Sequence, residues 1–201
     1  MDTPLLIVLT GPPASGKSTL SRRLAKTLRV PLLSMDELKE RLYETIGSGD
    51  AVEPKIEAAA LALVLSLAAT QLAAGVSAIL ESTFEAGRDE ERLWRVAADR
   101  GAELVQVHCA DEPERLLRRF EERARSGNRH PGHGDRPEDV DEVRARLEAG
   151  VWEPLDLPGA LVRVDAEEDE DEAARLVLER VRSYGIGAGE TASSASRSDA
   201  T

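Results

Sequence analysis

Aromatic side chains are scarce in this sequence: two Trp, two Tyr and two Phe make up 3% of 201 residues. A core must therefore be built mostly from Leu, Val and Ala. Cys109 is the single cysteine, which excludes an internal disulfide and suits a reducing cytosol. Of 26 Lys and Arg, only Lys17, Lys26, Lys39 and Lys55 are lysines, a compositional bias to which no function attaches. Positive charge is in deficit, with a formal net charge of −12. Such a chain repels the phosphate backbone of nucleic acid and an anionic membrane, so a nucleic-acid partner is not expected. The opening apolar run Leu5–Leu9 is too short for a secretory signal and has Asp2 before it rather than a base, so a cytoplasmic location is expected.

Long apolar runs are limited to one. Residues 58–80 carry no charge, a length that can cross a bilayer. Ser66, Thr70, Gln71, Gly75 and Ser77 interrupt it, and it reads instead as a buried helix ending near Gly75, then a strand. The length fits one domain, or one domain with a lid. Short apolar runs at Leu5–Thr10, Pro31–Met35, Val76–Glu81, Glu103–Cys109 and Ala160–Asp165 alternate with helical patterns at Lys17–Arg29, Asp36–Thr45, Pro54–Ala74, Asp89–Arg100, Pro113–Arg125 and Glu170–Tyr184. A further helix starts at Asp135 with the capping-box pattern Asp135-Arg-Pro-Glu138 and ends at Gly150. This alternation predicts an α/β fold, a parallel sheet with helices on both faces.

One motif decides the class. Gly11-Pro12-Pro13-Ala14-Ser15-Gly16-Lys17-Ser18, followed by Thr19, matches the phosphate-binding loop pattern G-x-x-x-x-G-K-[ST], with a strand before it and a helix after it. Its amide N–H groups turn inward around a phosphate and its glycines permit close approach. The helix N-terminus adds partial positive charge. Lys17 reaches the outer phosphates and the Ser18 hydroxyl ligates magnesium. The implied ligands are ATP and Mg²⁺. The only asparagine, Asn128, is followed by Arg129, so the Asn-Lys-x-Asp segment with which switch proteins read guanine is missing.

The loop, the acid Asp36 after the second strand, Glu81-Ser82-Thr83 at the third, and an Arg-rich segment before a loop together resemble a set of small P-loop kinases. These include chloramphenicol phosphotransferase, the zeta toxins and the kinase domain of phage polynucleotide kinase. The resemblance spans roughly residues 4–184. It implies a five-stranded parallel sheet in the order 2-3-1-4-5, an Arg-rich lid at about residues 115–137, and transfer of the γ-phosphate of ATP to a hydroxyl group. A small-molecule acceptor is the expectation, with the protein a monomer or homodimer. A polynucleotide 5′-hydroxyl kinase, a zeta-type toxin and a non-catalytic ATP-binding regulatory protein are the alternatives.

The resemblance assigns Asp36 as the base that faces the acceptor hydroxyl, in the shared region of acceptor and metal. The other reading is helix capping, which Ser34-x-x-Glu37 already satisfies. Glu81 can hold a magnesium water or bind substrate, or be a polar strand end. Ser82 and Thr83 can contact substrate. Lid arginines neutralise charge on the transferred phosphoryl group. Arg123, Arg125 and Arg129 approach the loop, whereas Arg115 and Arg118 read as structural. For His130 and His133 three readings stand open: a lid, a substrate contact, or zinc together with His108 and Cys109. Trp94 and Trp152 read as packing anchors.

Residues 185–201 are rich in Gly, Ser, Ala and Thr with few apolar anchors, and a disordered tail is expected beyond the kinase domain at 1–184. Deleting 185–201 should leave both the melting temperature and the phosphotransfer rate unchanged. A fall of several degrees in a thermal melt would show that the tail docks.

Overall fold

The computed structural model of the chain describes residues 3–47, 49, 51–127, 130–133, 136–165 and 170–185. Residues 186–201, and so nearly all of the expected tail, lie outside them, as do Arg129 and Asp135. Five strands alternate with seven helices among the described residues. The strands are β1 (Leu5–Thr10), β2 (Leu32–Ser34), β3 (Ala78–Glu81), β4 (Glu103–Ala110) and β5 (Ala160–Asp165). The helices are α1 (Lys17–Leu28), α2 (Met35–Ile46), α3 (Glu53–Ala73), α4 (Glu90–Ala98), α5 (Pro113–Arg125), α6 (Val140–Glu148) and α7 (Glu170–Arg182). All pairings are parallel, and the order is β2-β3-β1-β4-β5, as the resemblance to the small P-loop kinases implied.

β1 is the centre of the sheet, and its sequence shows why. Leu5, Ile7 and Leu9 point to a layer with Leu20 and Leu24 of α1 and Ala173, Val177 and Val181 of α7. Leu6 and Val8 point to the opposite layer, with Val64, Ala68 and Leu72 of α3 and Leu93 and Ala97 of α4. A strand covered on both sides must be apolar at every position, and each fully buried Leu contributes roughly 2 kcal/mol. A third cluster of Leu117, Phe120, Val143 and Trp152 joins α5 to α6. It gathers two of the few large aromatics beside the lid.

Where the structure departs from the sequence expectation, backbone chemistry explains it. Val76 is exposed, and its N–H still bonds back to the Gln71 carbonyl at 2.9 Å. Gly75 takes φ +75° there, so the chain finishes a helix cap before β3 begins at Ala78. β2 starts after Pro31, and Met35 already belongs to α2. The helix expected from Asp135 opens one residue on: the Asp139 carboxylate accepts from the Arg136 amide at 2.9 Å, and a 3-10 turn at Pro137–Asp139 precedes α6. The charge-free run is not a buried helix. Only the stripe Ile56, Ala60, Val64, Ala68 and Leu72 of α3 is buried, while Leu63 and Leu67 are 43% and 40% exposed. α3 is long and apolar enough to cross a membrane by length and composition, yet its buried stripe packs on the sheet.

The approach of β4 to the entry of β5 depends on a missing side chain. Gly159 has φ +109°, and a Cβ there would stand 2.2 Å from the Leu104 carbonyl oxygen. Gly159→Ala should cost about 2 kcal/mol or more through strain and overpacking, seen as a fall of several degrees in the melting temperature. An unchanged melt would show that the strand entry yields.

Candidate active site

Three neighbouring strands end in register at one edge of the sheet: Ser34 of β2 lies opposite Glu81 of β3, and Glu81 opposite Leu9 of β1. The chain leaves β1 through Gly11, whose φ of +133° and whose place against the Cys109 carbonyl, 2.1 Å from where a Cβ would sit, admit only glycine. The loop then turns through Ala14 at φ 64° and Gly16 at φ 84° into α1. Open α/β sheets place their ligands at this carboxyl edge, where the strand order reverses.

Lys17 opens α1 and is buried. Its ammonium donates to the Pro12 carbonyl at 2.7 Å and to Ser15 Oγ at 3.4 Å. Burial lowers its pKa, and the charges of Glu81 and Asp36 oppose that shift. Ser18 Oγ donates to Glu81 Oε1 at 3.1 Å, and Ser34 Oγ donates to Glu81 Oε2 at 2.9 Å. Glu81 is therefore a 3% exposed carboxylate held from both sides by hydroxyls, not a polar strand end at the surface. Hydroxyl and carboxylate oxygens are the hard donors that Mg²⁺ takes, so Ser18 and Glu81 fit that ion.

A cavity of about 570 Å³ runs from this loop toward the ends of β3 and β2. Pro13, Ala14, Ser15, Gly16, Lys17, Ser18 and Thr19 line it; Gly11 and Pro12 are not among its lining residues. Asp36, in the first turn of α2, lines the same cavity together with Thr83. Ser34 does cap α2, accepting from the Glu37 amide at 3.5 Å, but the Glu37 carboxylate turns to Arg22 at 3.4 Å. The expected capping box is thus half made, and Asp36 faces the cavity.

Other expected site residues are placed elsewhere. Ser82 is buried and donates to the Met35 sulfur at 3.2 Å, so of the pair only Thr83 reaches the cavity. Of the lid arginines, Arg123 lines the cavity and lies 5.6 Å from the Phe120 ring centre. Arg125 is 63% exposed and pairs with Glu121, so it does not line the site. Arg115 pairs with Asp111 at 2.6 Å, the structural role expected for it. His130 rests on α2, edge-on to Tyr43 at 5.4 Å, with Nδ1 accepting from the Gly132 amide at 3.1 Å, so it does not line the cavity either. His133 belongs to the short turn Pro131–His133. His108 stands with Nδ1 3.1 Å from Thr10 Oγ1; burial, then the charges of Arg163 and Lys17, pull its pKa down to about 4. Burial pushes the Cys109 thiol up to about 11. The zinc reading is not supported: His108 is fixed in β4 while His130 rests on α2, and no cluster of three or more metal-ligating residues occurs among the described residues.

Six cavity residues were not singled out as site residues from the sequence: Lys39, Glu57, Glu85, Arg88, Arg146 and Trp152. Lys39 of α2 pairs with Glu57 of α3. Glu85 receives both Arg88, at 2.8 Å, and Arg146. Partial burial would raise the Glu85 pKa, but the Arg88 hydrogen bond and the Arg146 charge outweigh it and hold the carboxyl below its usual range. The Arg146 guanidinium lies 4.6 Å from the Trp152 ring centre, which makes Trp152 a packing anchor that also faces the site. The Ala86 amide donates to the Val151 carbonyl at 2.8 Å, joining the segment after β3 to the segment after α6.

A second cavity of about 150 Å³ lies on the other side of the loop, toward β4 and β5. It shares Ser15, Gly16 and Thr19 with the first and adds Leu20, Arg23, Cys109, Arg119, Val164 and Asp165. Arg119 pairs with Asp111, and its buried Nε makes no hydrogen bond within the described residues.

Comparison with known proteins fits this geometry. The AAA domain family matches residues 6–149. A structure from Chloroflexus aurantiacus J-10-fl, provisionally assigned as a kinase, shares 34% identity over 91% of this chain and 98% of its own, with a TM-score of 0.78. A shikimate kinase of Corynebacterium efficiens is 31% identical over 54% of this chain and 72% of its own length, and one of Corynebacterium glutamicum is 30% identical over 63% and 89%. These relatives differ from the three groups that the motif order resembles, and share their class. The chain belongs to the AAA domain family and, within it, to the small P-loop kinases, with a hydroxyl group as phosphoryl acceptor.

Proposed function

We propose that the protein transfers the γ-phosphate of ATP to a hydroxyl group of a small molecule. The observation that carries this is one cavity lined by the phosphate loop, Lys17, Ser18 and Asp36 together. The loop amides and the N-terminus of α1 hold the β- and γ-phosphates, with Lys17 turning from Pro12 to the outer oxygens. Ser18 and Glu81 would hold Mg²⁺, which supplies charge neutralisation on the phosphate oxygens. Arg123 lines the same cavity and offsets charge on the transferred group. The smaller cavity takes the base, with the Arg119 guanidinium as a flat cationic surface for it.

Asp36 accepts the hydrogen bond of the acceptor hydroxyl and takes its proton as the oxygen attacks the γ-phosphorus. The domain at 1–184, with its lid at about 115–137, closes over this centre. A site open to water would hydrolyse ATP instead. Shikimate, named in two relatives, belongs in the first acceptor panel beside other hydroxyl compounds.

Two variants test the assignment by phosphoester formation and calorimetry. Lys17→Ala should abolish transfer and weaken ATP binding, because a charge aimed at the outer phosphates is gone; wild-type turnover would remove the reading. Asp36→Asn keeps the size and one acceptor oxygen but takes no proton. It should bind ATP with Mg²⁺ as the wild type does and lose roughly 10²–10⁴ in kcat. Turnover within about threefold of wild type would remove Asp36 as the base and leave it a polar residue in the first turn of a helix that Ser34 caps.

A further inference from the structure

The strand order separates two kinds of surface around the phosphate loop. The smaller cavity lies toward β4 and β5. The larger extends the other way, toward the ends of β3 and β2, and beyond Ser18 and the Glu81 and Arg123 assigned to the triphosphate its wall is made by Asp36, Lys39, Glu57, Thr83, Glu85, Arg88, Arg146 and Trp152. If the proposed function holds, the acceptor occupies this half.

The charges of this wall are matched. Among the described residues, the cations Lys39, Arg88 and Arg146 face the carboxylates Asp36, Glu57 and Glu85. Each of the three cations is already engaged: Lys39 pairs with Glu57, and Arg88 and Arg146 share Glu85. Arg146 is further engaged by the Trp152 ring. An acceptor bearing a carboxylate or phosphate would bring an extra negative charge beside Asp36 and the triphosphate. To be compensated, it would have to draw one of these engaged cations away, leaving Glu57 without its partner or Glu85 with a single arginine, which is costly in a partly desolvated site.

A hydroxyl group has the opposite relation to such a wall. It donates to a carboxylate and accepts from an ammonium or guanidinium at the same time. It can insert beside an ion pair without changing the charge balance. Alternating carboxylates and cations along a cavity therefore suit several hydroxyls on one molecule, and the Thr83 hydroxyl adds a neutral partner. From these pairings we infer that the acceptor is an uncharged polyhydroxylated small molecule, a sugar or cyclitol rather than a hydroxy acid or a phosphorylated compound. The Lys39–Glu57 and Arg88–Glu85–Arg146 pairs act as the charge filter.

The inference rests on the kinase reading, and the test separates the two. Phosphoester formation is measured with ATP and Mg²⁺ on matched sets: D-glucose with D-gluconate, D-glucuronate and glucose 6-phosphate, and myo-inositol and other neutral cyclitols with shikimate and quinate. The neutral members should exceed their anionic counterparts at least tenfold in kcat/KM. Glu57→Gln, at a position whose side chain is 52% exposed, releases the Lys39 ammonium and should raise the carboxylates relative to the neutral compounds by about tenfold. Lys39→Met combined with Glu57→Gln should return the preference to the neutral compounds. Transfer mainly to the acids by the wild type, or a Glu57→Gln preference unchanged from wild type, would overturn the filter and leave the kinase reading standing. ATP binding without phosphoester on any compound would overturn both.

Discussion

The Glu81 carboxylate is held between two hydroxyls, Ser18 Oγ at 3.1 Å and Ser34 Oγ at 2.9 Å. A buried carboxylate is tolerable only with such partners, and each partner comes from a different element. Ser18 belongs to the first turn of α1 and Ser34 to the end of β2, where it also caps α2. One side chain thus fixes the phosphate loop relative to the helix that carries Asp36. The parallel register of β2, β3 and β1 makes this geometry possible, because it brings Ser34, Glu81 and Leu9 to the same level.

From that centre the fold distributes its tasks by strand order. The β4 and β5 side offers a small cavity beside Leu20, Cys109 and Val164. The β3 and β2 side offers a larger one walled by ion pairs. Helix α5 belongs to both. It sends Arg119 toward the smaller cavity and Arg123 toward the larger. The chain then touches α2 through His130 and Tyr43 and returns through α6 to Arg146 and Trp152. The Ala86–Val151 hydrogen bond and the Glu85–Arg146 pair tie that return to the segment after β3.

What was legible in the sequence was contiguous. The phosphate loop, the strand runs and the acids at the ends of β2 and β3 each announce themselves within a few residues, and the strand order came with the kinase resemblance that they carry. Arg123 against Arg125 was decidable as well: Leu116, Leu117 and Phe120 form the buried face of α5, and Arg123 lies one turn beyond Phe120 on that face, whereas Arg125 does not. Arg146, Glu85 and Lys39 were not legible. Their importance comes from meeting residues far along the chain, and in a chain so rich in Arg and Glu no local pattern marks them. α3 misled for another reason. Alanine blurs the contrast between its buried stripe and its exposed face, so a half-covered helix reads as one covered all round.

Cys109 has a practical consequence. It is the chain's single cysteine, only 2% exposed, with a thiol that ionises near 11. Near neutral pH almost none of it is thiolate, the form that reacts. Thiol-directed fluorophores and spin labels therefore pass over the native chain. A cysteine introduced on the surface becomes a unique attachment point, and two such positions, one on α2 and one on the lid, make the distance between these elements directly measurable in solution with no background to remove.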